Sequence, residues 1–276
     1  MNEKIRGRLL IIGGAEDKKG ECQILNKVVE LLDHKLSKLI ILTTATRFPE
    51  EVGKEYQEIF MNLGLKEVEA INIESRDKAD DTEIVNKIKN SAGVFFTGGD
   101  QLRITSLLGG SKVFGALHQI YRQGKLIAGT SAGAAVMSGT MIVKGESDDT
   151  PKKCTLKMAP GMGLLEEVII DQHFAQRGRI GRLLLAIAQN PYMLGIGIDE
   201  DTAILVNSTG RFRVIGSQTA TIVDGSQISH TNVSELESNQ PLGLLDVKLH
   251  VIPAGYEYDL KSKQVMIPQE DDLENI

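Results

Sequence analysis

The sequence predicts an α/β fold, a three-layer sandwich with a mostly parallel central sheet and helices on both faces. Three observations carry this. Short apolar runs alternate with segments of helical period through the first half of the chain. The runs are apolar at successive positions, the mark of parallel strands buried on both faces. Each run ends in small or polar residues, so the loops gather at the carboxyl edge of the sheet, where ligands bind in such folds.

The elements follow in chain order. Residues 8–12 form a first strand that enters Gly13-Gly14. Residues 21–36 carry Ile24, Leu25, Val28, Val29, Leu31, Leu32 and Leu36 at helical spacing. A strand at 38–42 ends in Thr43-Thr44-Ala45-Thr46, and a helix at 50–63 is stopped by Gly64. A strand at 67–73 and a helix at 80–91 come next. The strand at 93–96 runs into Thr97-Gly98-Gly99-Asp100-Gln101. Helical pieces around 104–108 and 113–122 precede a strand at 126–129, and right-handed crossovers join the series. Further on, 144–153 is a polar loop holding Glu146, Asp148, Asp149 and Pro151. A strand at 168–171 runs into Gln172-His173-Phe174. A helix at 177–190 and a strand at 194–198 follow, then Asp199-Glu200-Asp201. Residues 202–206, 213–215 and 220–223 read as short antiparallel strands with glycine turns. The stretch 269–276 is acidic. No repeat or low-complexity linker divides the chain, so 1–276 reads as one domain.

Bulk properties narrow the function. The chain has 276 residues, ample for a substantial core. Aromatic content is 4% with no Trp, which argues against stacking platforms for single-stranded nucleic acid. The net charge of −6, without a basic tract, argues against a nucleic-acid or anionic-lipid partner. Cys22 and Cys154 have no disulfide or zinc spacing, which fits a reducing cytoplasm. No apolar run approaches the roughly 18 residues that span a bilayer. The short apolar run after Lys4, Arg6 and Arg8 is a first strand, not a signal peptide.

Gly129-Thr130-Ser131-Ala132-Gly133 matches G-x-S-x-G, the nucleophile elbow. A serine on so tight a strand-to-helix turn needs neighbours without bulk at minus two and plus two. The turn aims Oγ and the first helical N–H groups at the same space. A turn kept small only for packing is the bland alternative. Its place at the ligand edge, beside Gly13-Gly14 and Gly98–Gln101, favours chemistry.

A serine nucleophile needs a base. Of five histidines, His34 and His118 fall in expected helices and His230 and His250 in the less regular last third. His173 follows a strand end among Asp171, Gln172, Gln176, Arg177, Arg179 and Arg182. Its second nitrogen needs an acceptor, and Asp199, Glu200 and Asp201 offer three that alternation cannot rank. The oxyanion needs two N–H donors. Ala132 supplies one, and the Gly98-Gly99-Asp100 loop is suited to supply the other. A phosphate-binding loop is disfavoured there, since no GxGxxG or GxxxxGK[ST] occurs. Arg177, Arg179 and Arg182 open a helix against its dipole, which suggests an anionic substrate; a solvated face is the alternative.

Taken together, Phe95–Leu102, Gly129–Ala134, Asp171-Gln172-His173-Phe174 with Arg177-Gly178-Arg179 and Arg182-Leu183, and Gly197-Ile198-Asp199-Glu200 resemble the cyanophycinases. These belong to the serine peptidase family that also holds bacterial α-aspartyl dipeptidase. Gly13-Gly14-Ala15-Glu16-Asp17 shares the likeness. The motifs run in family order over about two-thirds of the chain. The resemblance implies a fold like the class I glutamine amidotransferases, with serine in place of their cysteine. It implies Ser131 as nucleophile, His173 as base, Glu200 as orienting acid, and Gly99 and Ala132 as oxyanion donors. Gln101, Asp171, Gln172, Arg179 and Arg182 would line the substrate site. It implies no metal or other cofactor, and a homodimer. The implied substrate is cyanophycin, a polyaspartate bearing arginine on its β-carboxyls, cut to β-Asp-Arg dipeptides. Glu146, Asp148 and Asp149 are candidates for an acidic pocket that takes the substrate's arginines. An α-aspartyl or isoaspartyl dipeptidase, and a non-catalytic carboxylate- or nucleotide-binding protein, are the alternatives.

Overall fold

The computed structural model describes residues 7–32, 38–145, 151–152, 156–237 and 240–268. The candidate acidic residues Glu146, Asp148 and Asp149 lie outside these, as do His34, Cys154 and the acidic stretch 269–276.

In the first half, strands β1 (Arg8–Ile12), β2 (Lys38–Leu42), β3 (Glu67–Ile71), β4 (Gly93–Phe96) and β5 (Leu126–Thr130) alternate with helices. The helices are α1 (Gln23–Leu31), α2 (Pro49–Asn62), α3 (Arg76–Ala79), α4 (Thr82–Asn90), α5 (Gln101–Leu108) and α6 (Lys112–Arg122). The one-turn helix α7 (Ala132–Ala135) follows β5. Then come β6 (Thr140–Lys144), β7 (Lys157–Pro160) and β8 (Val168–Gln172), a 3-10 turn (Ala175–Arg177), α8 (Ile180–Gln189), β9 (Leu194–Ile198) and β10 (Thr202–Val206). The chain continues through β11 (Arg211–Gly216), β12 (Thr219–Asp224), β13 (His230–Thr231), β14 (Leu244–Leu245), β15 (Lys248–Pro253), β16 (Glu257–Asp259) and β17 (Gln264–Met266).

A nine-stranded sheet has the order β17-β16-β11-β10-β1-β5-β4-β2-β3. Strands β1, β5, β4, β2 and β3 run parallel, as the sequence predicted. From β1 outward through β10, β11, β16 and β17 the pairing is antiparallel. The continuous apolar runs are explained by two cores. Leu10, Ile12, Leu39, Ile41, Phe95 and Ala128 face α1 and α2, against Ile24, Leu25, Val28, Tyr56 and Phe60. Their neighbours Leu9, Ile11, Ile40, Leu42, Val94, Phe96 and Ile127 face α4 and α6. Each such Leu, Ile or Phe contributes roughly 1.5–3 kcal/mol by leaving water.

The second half departs from expectation. β8 and β9 belong to a separate four-stranded sheet of order β15-β12-β9-β8. β9 reads Leu-Gly-Ile-Gly-Ile, so one face is apolar and the other bare. Ile196 and Ile198 pack towards the antiparallel half of the large sheet, against Ile204, Val206 and Phe212. The glycine face lets α8 lie close, with Leu183 and Ile187 near Gly195. The expected helix from Arg177 begins instead at Ile180, because Gly178 turns left-handed (φ 55, ψ 38) and separates the 3-10 turn from α8.

Candidate active site

β5 delivers Ser131 to the carboxyl edge, at φ 53 and ψ −109, immediately before α7. A serine in that region is strained by about 1–3 kcal/mol and persists only where its surroundings hold it. Crowding explains the flanking glycines. A Cβ on Gly129 would lie 2.6 Å from the Gly133 oxygen, and one on Gly133 2.6 Å from the Phe96 Cβ. The Ser131 N–H donates to the Ile12 oxygen at 3.0 Å, and the Ser131 carbonyl accepts from Ala134 and Ala135.

His173 stands just past β8, with Nε2 at 2.9 Å from Ser131 Oγ and Nδ1 at 2.6 Å from Glu200 Oε1. Strand pairing brings the two loops together: β8 runs parallel to β9 with Gln172 opposite Ile198, so the residues beyond emerge side by side. The three acids separate by what they touch. Asp199 is buried, accepting from the Ala175 N–H at 2.9 Å and from Thr219 Oγ1 at 2.8 Å. Asp201 turns left-handed (φ 48) and accepts from the Asp17 N–H at 2.9 Å and Ser217 Oγ at 2.8 Å. Glu200 is left facing the imidazole, and its own N–H donates to Gln176 Oε1 at 3.0 Å.

The His173 pKa lies below its usual value. Burial is the main cause, and the charges of Arg177 and Arg179 add to it; Glu200 opposes them through its hydrogen bond and charge. A neutral ring with its proton on Nδ1, towards Glu200, leaves Nε2 free to accept from Ser131 Oγ.

The Gly98-Gly99 loop lies against the serine. A Cβ on Gly98 would stand 3.9 Å from Ser131 Oγ. Asp100 pins the loop, donating its N–H to the Ala45 oxygen at 2.9 Å and capping the Leu102 N–H at 2.9 Å. Among the described residues, neither the Gly99 N–H nor the Ala132 N–H has an acceptor.

The residues expected to line a substrate site are present but differently engaged. Asp171 is fully buried. Arg182 grips it with two donors, Nε at 2.7 Å and the shorter Nη2 contact, while Arg179 Nη1 lies 3.4 Å away. Arg179 Nη1 also donates to the backbone oxygen of Gln172 and to its Oε1, and Arg179 Nε is buried with no partner among the described residues. Burial, reinforced by Arg182 and Arg177 and opposed by Asp171, lowers the Arg179 pKa to about 10. Gln101 spends its amide nitrogen on the Ile142 and Val143 oxygens of β6, at 3.0 and 3.3 Å. The dipole of α8, which the arginines oppose, is offset by Asp171 close to its first turn.

Sequence reasoning did not single out Gln176 or the buried acid Glu16 for any role of their own. Glu16 accepts from Thr130 Oγ1, the residue before the serine, at 2.5 Å. An acid just past a strand-end glycine pair was its one local signal.

An α/β scaffold presenting serine, imidazole and carboxylate in hydrogen-bonded succession defines a serine hydrolase. The model of peptidase family S51 matches residues 9–214. The cyanophycinase of Nostoc sp. is 39% identical over 259 residues, covering 94% of this chain and 87% of that protein. The cyanophycinase of Geminocystis herdmanii is 37% identical over 267 residues, covering 96% and 98%. A crystal structure of a peptidase from an acI-B1 actinobacterium shares the fold, with a TM-score of 0.65 at 21% identity over 92% of this chain and 97% of that one. The chain belongs to peptidase family S51, and it is a serine peptidase. No helix of the described residues is long and apolar enough to cross a membrane.

Proposed function

We propose that this chain is a cyanophycin-degrading exopeptidase, with Ser131, His173 and Glu200 as its triad. The observation that carries the mechanism is the hydrogen-bonded series from Ser131 Oγ to His173 Nε2 (2.9 Å) and from His173 Nδ1 to Glu200 Oε1 (2.6 Å). The substrate follows the relatives, which are named cyanophycinases at 37–39% identity across nearly the whole chain.

In this reading Ser131 Oγ attacks a backbone carbonyl of the polyaspartate while His173 Nε2 takes its proton. Glu200 holds the Nδ1 proton and stabilises the imidazolium that forms. The Gly99 and Ala132 N–H groups receive the oxyanion; losing one such donor typically costs about 10²–10³ in rate. The imidazolium protonates the leaving amine, and water releases the acyl-enzyme by the same steps in reverse. Arg179 and Gln101 serve substrate binding. Asp171, Gln172 and Arg182 hold Arg179 in place. The Glu146, Asp148 and Asp149 pocket and the homodimer are part of the proposal, tested by charge-neutralising variants and by sedimentation.

The test is incubation with purified cyanophycin and identification of the products. Release of β-Asp-Arg is expected, and Ser131→Ala should lower kcat by about 10⁴-fold or more without changing the circular dichroism spectrum. A chain that leaves the polymer intact but cleaves α-aspartyl dipeptides overturns the substrate assignment. Substantial turnover by Ser131→Ala overturns the triad.

A further inference from the structure

We propose that Glu16 is a positioning residue for this reaction: through Thr130 and Tyr56 it anchors the loop after β1, and that loop sets the three corners carrying Ser131, His173 and Glu200. The inference rests on the triad reading above.

Three successive carbonyl oxygens of this loop reach three separate segments. Ile12 accepts from the Ser131 N–H at 3.0 Å, Gly13 from the His173 N–H at 2.8 Å, and Gly14 from the Asp201 N–H at 2.9 Å. Each of the donating residues has a positive φ, of 53, 48 and 48. The segments come from different sheets: Ser131 follows β5 of the large sheet, while His173 and Glu200 follow β8 and β9 of the small one. Since no ladder joins β5 to β8 or β9, the spacing of nucleophile and base depends on what bridges the sheets at this edge. The loop is such a bridge, with one backbone oxygen for each corner.

Glu16 is what holds the loop. Its side chain is 5% exposed. Oε2 accepts from Thr130 Oγ1 at 2.5 Å, and Oε1 accepts from the Tyr56 hydroxyl of α2. Burial, followed by the charge and hydrogen bond of Glu16, raises the Tyr56 pKa well above its ordinary value, so the phenol stays a donor. Charge-assisted bonds of this kind are short and directional. A buried carboxylate is a poor choice for stability alone, since well-packed apolar residues of similar volume do as well or better. What the carboxylate adds is two acceptors aimed at donors on two elements, one of them bonded through the backbone to the strained serine. The next residue extends the grip, with the Asp17 N–H donating to Asp201 Oδ1 at 2.9 Å. Glu16 acts through Thr130 and the loop, and the reacting atoms are set by it at one remove.

The test uses the full chain as Glu16→Gln, Thr130→Val and Thr130→Ser, with Ser131→Ala as reference. A fluorophosphonate reports the reactivity of Ser131 without peptide binding, and kcat and KM are measured on cyanophycin per folded molecule. An amide at Glu16 offers one acceptor oxygen, so it can accept from only one of the two hydroxyls and turns an N–H donor to the other. Glu16→Gln and Thr130→Val should therefore each lower kcat and the labelling rate in parallel by about 10–10²-fold, with KM nearly unchanged. Thr130→Ser, which keeps the hydroxyl, should restore most of the rate. The double variant should fall no further than the worse single one, because both break one contact. A lower melting temperature with unchanged kcat per folded molecule, a loss confined to KM, or fully additive losses would overturn the proposal. If Glu16→Gln does not fold, the Thr130→Val and Thr130→Ser pair decides. Failure of the triad reading looks different: the wild-type chain escapes labelling, or Ser131→Ala is labelled equally well.

Discussion

Replacing Gly14 by alanine separates geometry at the imidazole from backbone strain. Gly14 has φ +103, and a Cβ there would stand 2.3 Å from His173 Cε1, 2.6 Å from Nε2 and 3.0 Å from Nδ1. Carbon atoms in contact settle at about 3.5–4.0 Å, so the ring or the loop must move by about 1 Å. The ring is held between Ser131 Oγ at 2.9 Å and Glu200 Oε1 at 2.6 Å, and a shift of that size stretches both bonds. Misplacement by about 1 Å costs on the order of 10²-fold in rate. The left-handed backbone adds about 1–2 kcal/mol of destabilisation. In a chain of this size each kcal/mol lowers Tm by roughly 2–4 °C. Gly64→Ala is the control: φ is +101, but no atom lies within 4 Å of the added carbon. Calorimetry should show a loss of Tm in both variants, and steady-state kinetics a loss of kcat in Gly14→Ala alone. Gly14→Ala with wild-type kcat would refute the reasoning, because the ring could not then rest against this loop.

Other expectations follow from the charges around the site. In the proposed triad neutral His173 is the working form, and its pKa lies below 6.5, chiefly through burial. The acid limb of kcat/KM should therefore fall below pH 6.5. Arg177→Ala removes a charge that lowers this pKa and should move the limb up. Glu200→Gln removes one that raises it, moving the limb down while kcat drops by about 10²–10⁴-fold. Shifts of the opposite signs in the pH profiles would sink this assignment. The unfolded chain protonates this histidine nearer 6.5, so its term in folding stability should diminish as pH falls below 6.5 towards the folded pKa. Asp171→Asn strands the Arg182 and Arg179 guanidinium groups beside a neutral amide. Removing one partner of a buried pair costs about 3–5 kcal/mol, and a fall in Tm under about 3 °C would contradict the pairing.

The parallel half of the fold was legible because its strands are buried on two faces. Strands 8–12, 38–42 and 93–96 appear with the predicted bounds. The elbow at Ser131 was legible because its steric demand is local. The separate small sheet was not. β9 alternates glycine with large apolar residues, a pattern that says one face is bare without saying what covers it. The strands after β12 are often two or three residues long and of mixed polarity, too short for periodicity to register. Among the three carboxylates after β9, residue chemistry left the choice open, and the resemblance pointed to Glu200. The positive φ of Asp201, which accompanies the separation of the acids, leaves no mark in alternation. The arginines were read as waiting for an anion; the anion that Arg182 binds is Asp171 of its own chain. Glu16 was hidden for a different reason, since Thr130 is 114 residues away.

The division of the site between two sheets also sets an order of arrival during synthesis. Ser131, the Gly98-Gly99 loop and the first strand emerge early, and they make up much of the parallel half. A serine hydroxyl without a base is a weak nucleophile, and His173 and Glu200 come later, after β8 and β9, with β12, the other partner of β9, later still. A half-made chain therefore carries the proposed nucleophile unarmed. By the proposed triad, competence to cut a peptide bond arrives only as the second sheet closes.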